Sequence, residues 1–128
     1  MHRGQLLAAE VYNDAQELIG IRPLGGRIEF GETREAALRR EFQEELETEI
    51  DITSSWRMFE NLYEHEGSIG HEYILCASVG LLNTNLYQQE QVVFSEDSGD
   101  EVQARWFSVK ECKRGDIAVF PEGLSDLL

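Results

Sequence analysis

The sequence predicts an α/β domain in which a mixed sheet is covered by helices on its faces. Three observations carry that reading: short runs of strand formers bounded by turn residues, one long uninterrupted helical period among them, and helix signals again towards the end. Strands, one long helix, strands and short helices in that order fit a layered sheet. A length of 128 residues suits a single domain spanning 1–128 and leaves little room for a second core.

Gln5 to Tyr12 (QLLAAEVY) reads as the first strand, with Asn13-Asp14 as the turn that ends it, and Glu17 to Arg22 as a second short strand. Pro23-Leu24-Gly25-Gly26 then breaks regular structure, and the adjacent glycines let the backbone approach another group closely. From Thr33 to about Glu47 the period is helical. Thr33 is the N-cap candidate, Glu35 sits in the first turn, and Leu38, Phe42 and Leu46 recur as one apolar stripe. Ile50 to Tyr63 and His71 to Leu82 are rich in strand formers, and Glu64 to Gly70 between them reads as a hairpin connection longer than two residues. Asn83 to Glu101 is polar and acidic and reads as a long, partly irregular loop, a kind of segment that often carries function. Val102 to Phe107 (VQARWF) is a further strand, Ser108 caps a short helix through Lys113, and Pro121 to Leu128 suits a closing helix with proline near its first position. Trp56 and Trp106 are expected in the core.

Acidic residues outnumber Lys plus Arg by 25 to 11, a formal net charge of −14. Such a surface neither gathers a polyphosphate backbone by counterion release nor settles on an anionic membrane, which argues against long nucleic acid and membranes as partners. A small anionic substrate stays compatible if a divalent cation bridges it to the protein. Cys76 and Cys112 form no Cys-x-x-Cys pair and read as two reduced thiols, Cys76 as a small core residue within an apolar run. No stretch approaches the length of a membrane span and no apolar signal segment follows Met1-His2-Arg3-Gly4, so the expected location is the cytoplasm.

Glu41, Glu44 and Glu45 fall at i, i+3 and i+4 on a face adjoining the apolar stripe, where side chains are neighbours roughly 5–6 Å apart at Cβ. Three like charges at that spacing repel unless they are well solvated or a cation neutralises them. Mg2+ takes oxygen ligands and often combines one or two carboxylates with substrate phosphates, so the trio suits such an ion; a solvated acidic face is the alternative. Glu45 borders the stripe and is expected to be the least exposed of the three.

The surroundings favour the metal. Gly26 is followed by five residues and then Glu32; seven residues later come Arg40-Glu41, apolar Phe42, Gln43 and Glu44-Glu45. This resembles the Nudix box: Gly, five residues, Glu, seven residues, Arg-Glu, an apolar residue, any residue, Glu-Glu, any residue, Gly, an apolar residue. Every charged position is met in register over Leu24 to Leu46, and Leu24 to Glu29 looks like the loop that leads into the box. The end departs, with Glu47 where the family has Gly and Thr48 where it has an apolar residue. That Gly normally closes the helix, so its replacement predicts a helix that runs on or ends in a different turn.

The resemblance implies the Nudix fold, an α/β/α sandwich with a mixed sheet. It implies a hydrolase that uses Mg2+ or Mn2+ to cut a nucleoside diphosphate linked to another moiety: a nucleoside triphosphate, a nucleotide sugar, ADP-ribose or a dinucleoside polyphosphate. By motif position Glu41, Glu44 and Glu45 are the implied metal ligands, joined by a backbone carbonyl at Gly25 or Gly26. Arg40 is implied to orient a glutamate of the box and Glu32 to support it. Glu44 is the implied general base within the box, and the acidic residues of Ser95 to Glu101 offer alternatives. Arg22 and Arg27 flank the double glycine as phosphate contacts, or, for Arg27, as a salt-bridge partner of the box. His65 and His71 flank the hairpin connection as substrate contacts or as incidental surface residues. Phe59, Tyr63 and Tyr73 could stack on a base, with core packing the better expectation for most of them. Homodimerisation, frequent in the family, stays open, because no apolar surface stripe in the sequence demands it. Two other readings are a non-catalytic Nudix-fold binding or regulatory module, favoured only by Glu47, and a prenyl diphosphate isomerase, for which Cys76 and Cys112 lack the surroundings.

Overall fold

The computed structural model describes residues 1–65, 67–96 and 98–128. Strands β1 (Gln5–Tyr12), β2 (Leu18–Pro23), β7 (Gln91–Ser95) and β8 (Glu101–Ser108) form a sheet in the order β2-β1-β8-β7, antiparallel throughout. A parallel bridge from Ile21 to Val119 adds the C-terminal segment beside β2 and makes the pairing mixed at that edge. β3 (Ile50–Ile52) pairs with β6 (Val79–Leu81), and β4 (Arg57–His65) with β5 (Ser68–Cys76). The long helix α1 (Arg34–Leu46) lies between β2 and β3 in the chain, and the short helix α2 (Val109–Arg114) follows β8.

Both faces of the four-stranded sheet are covered. Successive residues of a strand point to opposite faces, and Ala8 and Ala9, both fully buried, belong to separate cores. On one face Ala9, Ala104, Val102 and Phe94 pack with Phe42 and Leu46 of α1 and with Ile50 and Leu81. On the other, Ala8, Ile21 and Phe107 pack with Cys112 of α2, Val119 and Leu124. The stripe read from the sequence is therefore the face of α1 that meets the sheet, with Leu38 partly buried at its margin.

Several expected segments differ. β7 lies inside the stretch expected as an irregular loop, and Thr84–Gln88 within that stretch is a 3-10 turn. A five-residue edge strand flanked by polar residues leaves little period to read. The β4–β5 pairing runs out to His65 opposite Ser68, so the connection is two residues and not longer. Pro121 to Leu128, where a closing helix was expected, holds only a 3-10 turn, Leu124–Leu127, because Gly123 before it takes a left-handed conformation that breaks a helix. Trp106 is half-buried beside the first core, stacked on Tyr87, and donates from Nε1 to the Leu86 carbonyl at 3.3 Å. Cys76 is half-buried and outside both clusters, whereas Cys112 is core; both are unpaired. One face of the β4–β5 hairpin exposes Met58, Leu62, Ile69 and Tyr73, an apolar surface that the sequence did not reveal. No helix among the described residues is long and apolar enough to cross a membrane.

Candidate active site

The loop between β2 and α1 folds back on the helix it precedes. Thr33 caps α1, its Oγ1 accepting from the Ala36 amide at 3.1 Å. Just before it, a turn joins the Glu32 amide to the Glu29 carbonyl, while a Glu32 side-chain oxygen accepts from the Glu29 amide at 2.9 Å. Arg40, on the second turn of α1, reaches back into this loop. Its Nε and Nη2 donate to the two carboxylate oxygens of Glu32 at 2.7 and 2.9 Å, and Nη2 also donates to the Arg27 carbonyl at 3.0 Å. Its Nη1 donates to Glu41 at 2.8 Å and to Glu44 at 3.4 Å. One planar guanidinium thus ties together three carboxylates of the box and the glycine loop, a geometry that Lys cannot reproduce. The hydrogen bonds from Arg40, then that from the Glu29 amide, hold the Glu32 carboxyl down at about 2. The same bonds to Glu32 and Glu41 push Arg40 upward.

Glu41 is buried, 6% exposed, and is the least exposed of the three ligand candidates; Glu45 had been the expectation. The reason is Gly26. A Cβ on Gly26 would run into the Glu41 carboxyl group, so the bare glycine backbone is what roofs that carboxylate. Glu45 is half-buried, and Glu44 keeps about half of its side chain exposed (49%). Burial pushes the Glu45 carboxyl up to about 8, reinforced by its contact with the Glu41 carboxyl and by the negative charges of Glu41 and Glu96, with Arg22 opposing. Two neighbouring carboxylates, one resisting ionisation, are hard-oxygen donors that a divalent cation would satisfy. Among the described residues no three acidic, His or Cys side chains already converge as a finished cage, since Glu44 leans towards Arg40.

Glu96 enters this site from the far edge of the sheet, where its Oε1 accepts from Arg22 Nη2 at 2.7 Å. Of the described acidic residues of 95–101, this is the one whose charge acts on Glu45 of the box. Asp100 instead holds the local turn with Ser98, and Glu101 pairs with Ser95 at the start of β8. Asp97 and the side chain of His65 lie outside the described residues.

A cleft of about 600 Å³ opens beside the glycine loop. It is lined by Arg22, Gly25, Gly26 and Arg27, and further out by Arg34, Trp56, Asn61, Glu72 and Tyr73. Arg34 lies over the Trp56 ring, 4.9 Å from its centroid, so Trp56 is a wall of the cleft and not the core residue expected. Tyr63 and His71 do not line it. Tyr63 is exposed and packs on Gly70, and His71 is bound to Glu60 at 3.1 Å. Of the hairpin aromatics Tyr73 alone lines the cleft, exposed with Tyr63 where core packing was the better expectation; Phe59 packs against the second core. Arg34 and Trp56 were missed because nothing in the sequence links a first-turn arginine to a residue 22 positions on. A smaller cavity of about 310 Å³ is lined mainly by apolar residues such as Leu6, Leu38, Phe42 and Leu127. Neither space is lined by Glu32, Glu41, Glu44 or Glu45, but only the larger cleft borders Gly26, whose backbone covers the Glu41 carboxyl.

The model of the NUDIX domain family matches residues 2–128. With the box geometry above, this places the chain in the Nudix family, whose hydrolases act on nucleotide derivatives and generally use divalent metals. Among curated proteins, none matches the chain significantly.

Proposed function

We propose that the protein is a metal-dependent hydrolase that cleaves the diphosphate linkage of a nucleoside diphosphate joined to another moiety: a nucleoside triphosphate, nucleotide sugar, ADP-ribose or dinucleoside polyphosphate. The observation that carries this reading is the pair of neighbouring carboxylates Glu41 and Glu45, with Glu41 roofed by Gly26 and held by Arg40. Glu41, Glu45 and Glu44, with a carbonyl of Gly25 or Gly26, would hold Mg2+ or Mn2+. A cation bound there neutralises diphosphate charge, polarises phosphorus and lowers the pKa of a bound water.

The chain's own groups supply the rest. Arg40 directs four of its five N–H donors to Glu32, Glu41 and the Arg27 carbonyl, and only the one on Glu44 comes free when Glu44 turns. Arg27 and Arg34 face the cleft, where they can bind phosphate oxygens. Glu44, half-exposed and only weakly held, is free to turn and take a proton from the attacking water; Glu96 is the alternative base. The proposed substrate is small and the site is an open cleft within one domain of residues 1–128, so neither long nucleic acid nor a membrane is a partner in this reading. The cytoplasm is the place of action proposed with it. The non-catalytic module rested on the replaced glycine, and α1 still closes at that residue in the conformation the glycine would take.

The test is nucleotide or phosphate release from a panel of those four substrate types, with Mg2+ and with EDTA, for the wild type and Glu44→Gln. Metal-dependent cleavage that falls at least 100-fold in the variant is expected. A wild type that binds metal and nucleotide but turns nothing over refutes the hydrolase in favour of the binding module.

A further inference from the structure

We infer that the cleft holds a guanine subsite: the Asn61–Glu72 pair reads the hydrogen-bonding edge of the base, and Trp56 carries its ring. This rests on the function proposed above in taking a nucleotide as the ligand, and it adds which nucleotide. Asn61 and Glu72 are cross-strand partners of β4 and β5. They share a face with Phe59 and Ile74, two residues along, and Phe59 packs against the second core. The register therefore turns the pair towards the body of the domain, and Asn61, Glu72 and Ile74 all line the cleft. Trp56, just before β4, lines it too, with Arg34 4.9 Å from the centroid of its ring. A space of about 600 Å³ with cationic, polar and aromatic walls has the size of a small-ligand site.

Glu72 is the residue that points to a base. It is the one carboxylate among the lining residues, and it would repel a phosphate placed beside it. Its Oε1 accepts from the neutral Asn61 Nδ2 at 3.0 Å and not from any of the three arginines that line the same cleft. Side by side, the Asn61 amide and the two Glu72 oxygens present one donor followed by two acceptors, since Nδ2 carries a second N–H. Among the common bases guanine alone offers the complement on one edge, the O6 acceptor followed by the N1–H and N2–H donors. Adenine and cytosine set a ring-nitrogen acceptor beside their amino group, and uracil flanks its N–H with carbonyls, so each would turn a lone pair on the carboxylate. Stacking on an aromatic ring or a guanidinium plane accepts every base. Trp56, braced by Arg34, thus supplies affinity, and the Asn61–Glu72 pair supplies the choice.

The nucleoside 5′-(α,β-methylene)diphosphates of the four bases, whose bridging carbon resists cleavage, are titrated calorimetrically into the full chain with Mg2+. The guanine analogue is expected to bind about tenfold or more tightly than each of the others. The inosine analogue keeps N1–H, lacks the exocyclic amine and should fall between. Glu72→Gln puts a donor where an acceptor is needed, so guanine affinity should fall roughly ten- to 100-fold while the other three change by less than about threefold. Trp56→Leu should weaken all four alike, by about tenfold. Equal affinity for the four bases, equal losses across them in Glu72→Gln, or no binding of any analogue by the wild type overturns the subsite. If Glu72→Gln does not fold, Asn61→Ala takes its place, with guanine alone weakened roughly three- to tenfold, and an unchanged guanine affinity overturns the subsite. None of these readings requires turnover. A chain that prefers guanine but cleaves no nucleotide refutes the hydrolase and keeps the subsite, and one that cleaves nucleotides but binds the four bases equally refutes the subsite alone.

Discussion

Glu47 occupies the position where the family's box carries glycine, and the backbone there has not changed to suit it. Helix α1 ends at Leu46, and Glu47 takes φ 52°, ψ 42°, the left-handed conformation. Its amide still reaches back to the carbonyls of Gln43 and Phe42, and the Thr48 amide follows to Phe42 at 3.5 Å. A non-glycine residue in that conformation costs about 1–2 kcal/mol. Glycine removes this cost but gives back about 0.5–1 kcal/mol through the freedom it adds to the unfolded chain. Glu47 is also an exposed acid at a helix C-terminus, with no ion pair among the described residues, and removing it adds a few tenths of a kcal/mol. Glu47→Gly should therefore raise stability by about 1 kcal/mol, or roughly 3–5 °C in Tm for a domain of this size. Urea unfolding at constant m-value measures it, with Glu47→Gln isolating the charge. If Glu47→Gly gains no more than Glu47→Gln, the backbone argument is wrong and the helix end relaxes in some other way.

Thr48, at the next departure from the box, is buried (2% exposed), and its Oγ1 accepts from the Asn83 amide at 2.9 Å; Thr48→Val should cost about 1–2 kcal/mol in the same unfolding assay, whereas an apolar contact alone would make it neutral. Gly26→Ala puts a Cβ into the Glu41 carboxyl without a left-handed backbone to strain, so Mn2+ affinity and kcat/KM should fall roughly 100-fold with little change in unfolding midpoint; equal loss of both would place the effect in folding. Arg40→Lys cannot hold Glu32, Glu41 and the Arg27 carbonyl together, so turnover should fall about 100-fold and the unfolding midpoint should drop; activity within a few-fold of wild type would refute the scaffold role. With its folded value raised to about 8, Glu45 contributes stability that is complete below its ordinary 4.5 and lost as pH rises through about 8 in EDTA. For a half-exposed group that loss is on the order of 2 kcal/mol, so the wild type should lose it between pH 4.5 and 8 relative to Glu45→Gln, and a flat difference would show that Glu45 ionises freely.

The parts of the molecule that could be read from its sequence are those encoded locally. The stripe Leu38, Phe42, Leu46 and the cap Thr33 specify α1 by spacing within one helix, and the box from Gly26 to Glu45 specifies its own loop because Arg40 reaches only eight residues back to Glu32. The β1 boundaries follow from a run long enough to show its pattern. What escaped depends on contacts between distant segments. Arg22 and Glu96 are 74 residues apart, and nothing at either position announces the other. Trp56 looked like a core residue because tryptophan usually is, but only the approach of Arg34 from α1 decides that it walls a cleft. The ordering of burial among Glu41, Glu44 and Glu45 followed from helix angle in the sequence and from the roof at Gly26 in the structure. The tertiary contact prevailed because the missing side chain at Gly26 is what leaves room for the Glu41 carboxyl.

The same contacts bear on how a chain of net charge −14 could serve the anionic substrate proposed for it. Its arginines are divided by partner. Arg40 spends its donors on Glu32, Glu41, Glu44 and the Arg27 carbonyl, so its charge is consumed in holding the carboxylates at a spacing they would otherwise resist. Arg27 and Arg34 make no ion pair among the described residues and face the cleft, Arg34 braced on Trp56. Arg22 stands between the two groups, bound to an acid of the site and open to the cleft. A uniformly acidic surface would repel a diphosphate at every approach. Here Arg22, Arg27 and Arg34 line the cleft beside the glycine loop, against one carboxylate among its lining residues, Glu72. If the proposed function holds, a divalent cation at the box carboxylates and a diphosphate beside these arginines would each favour the other's binding.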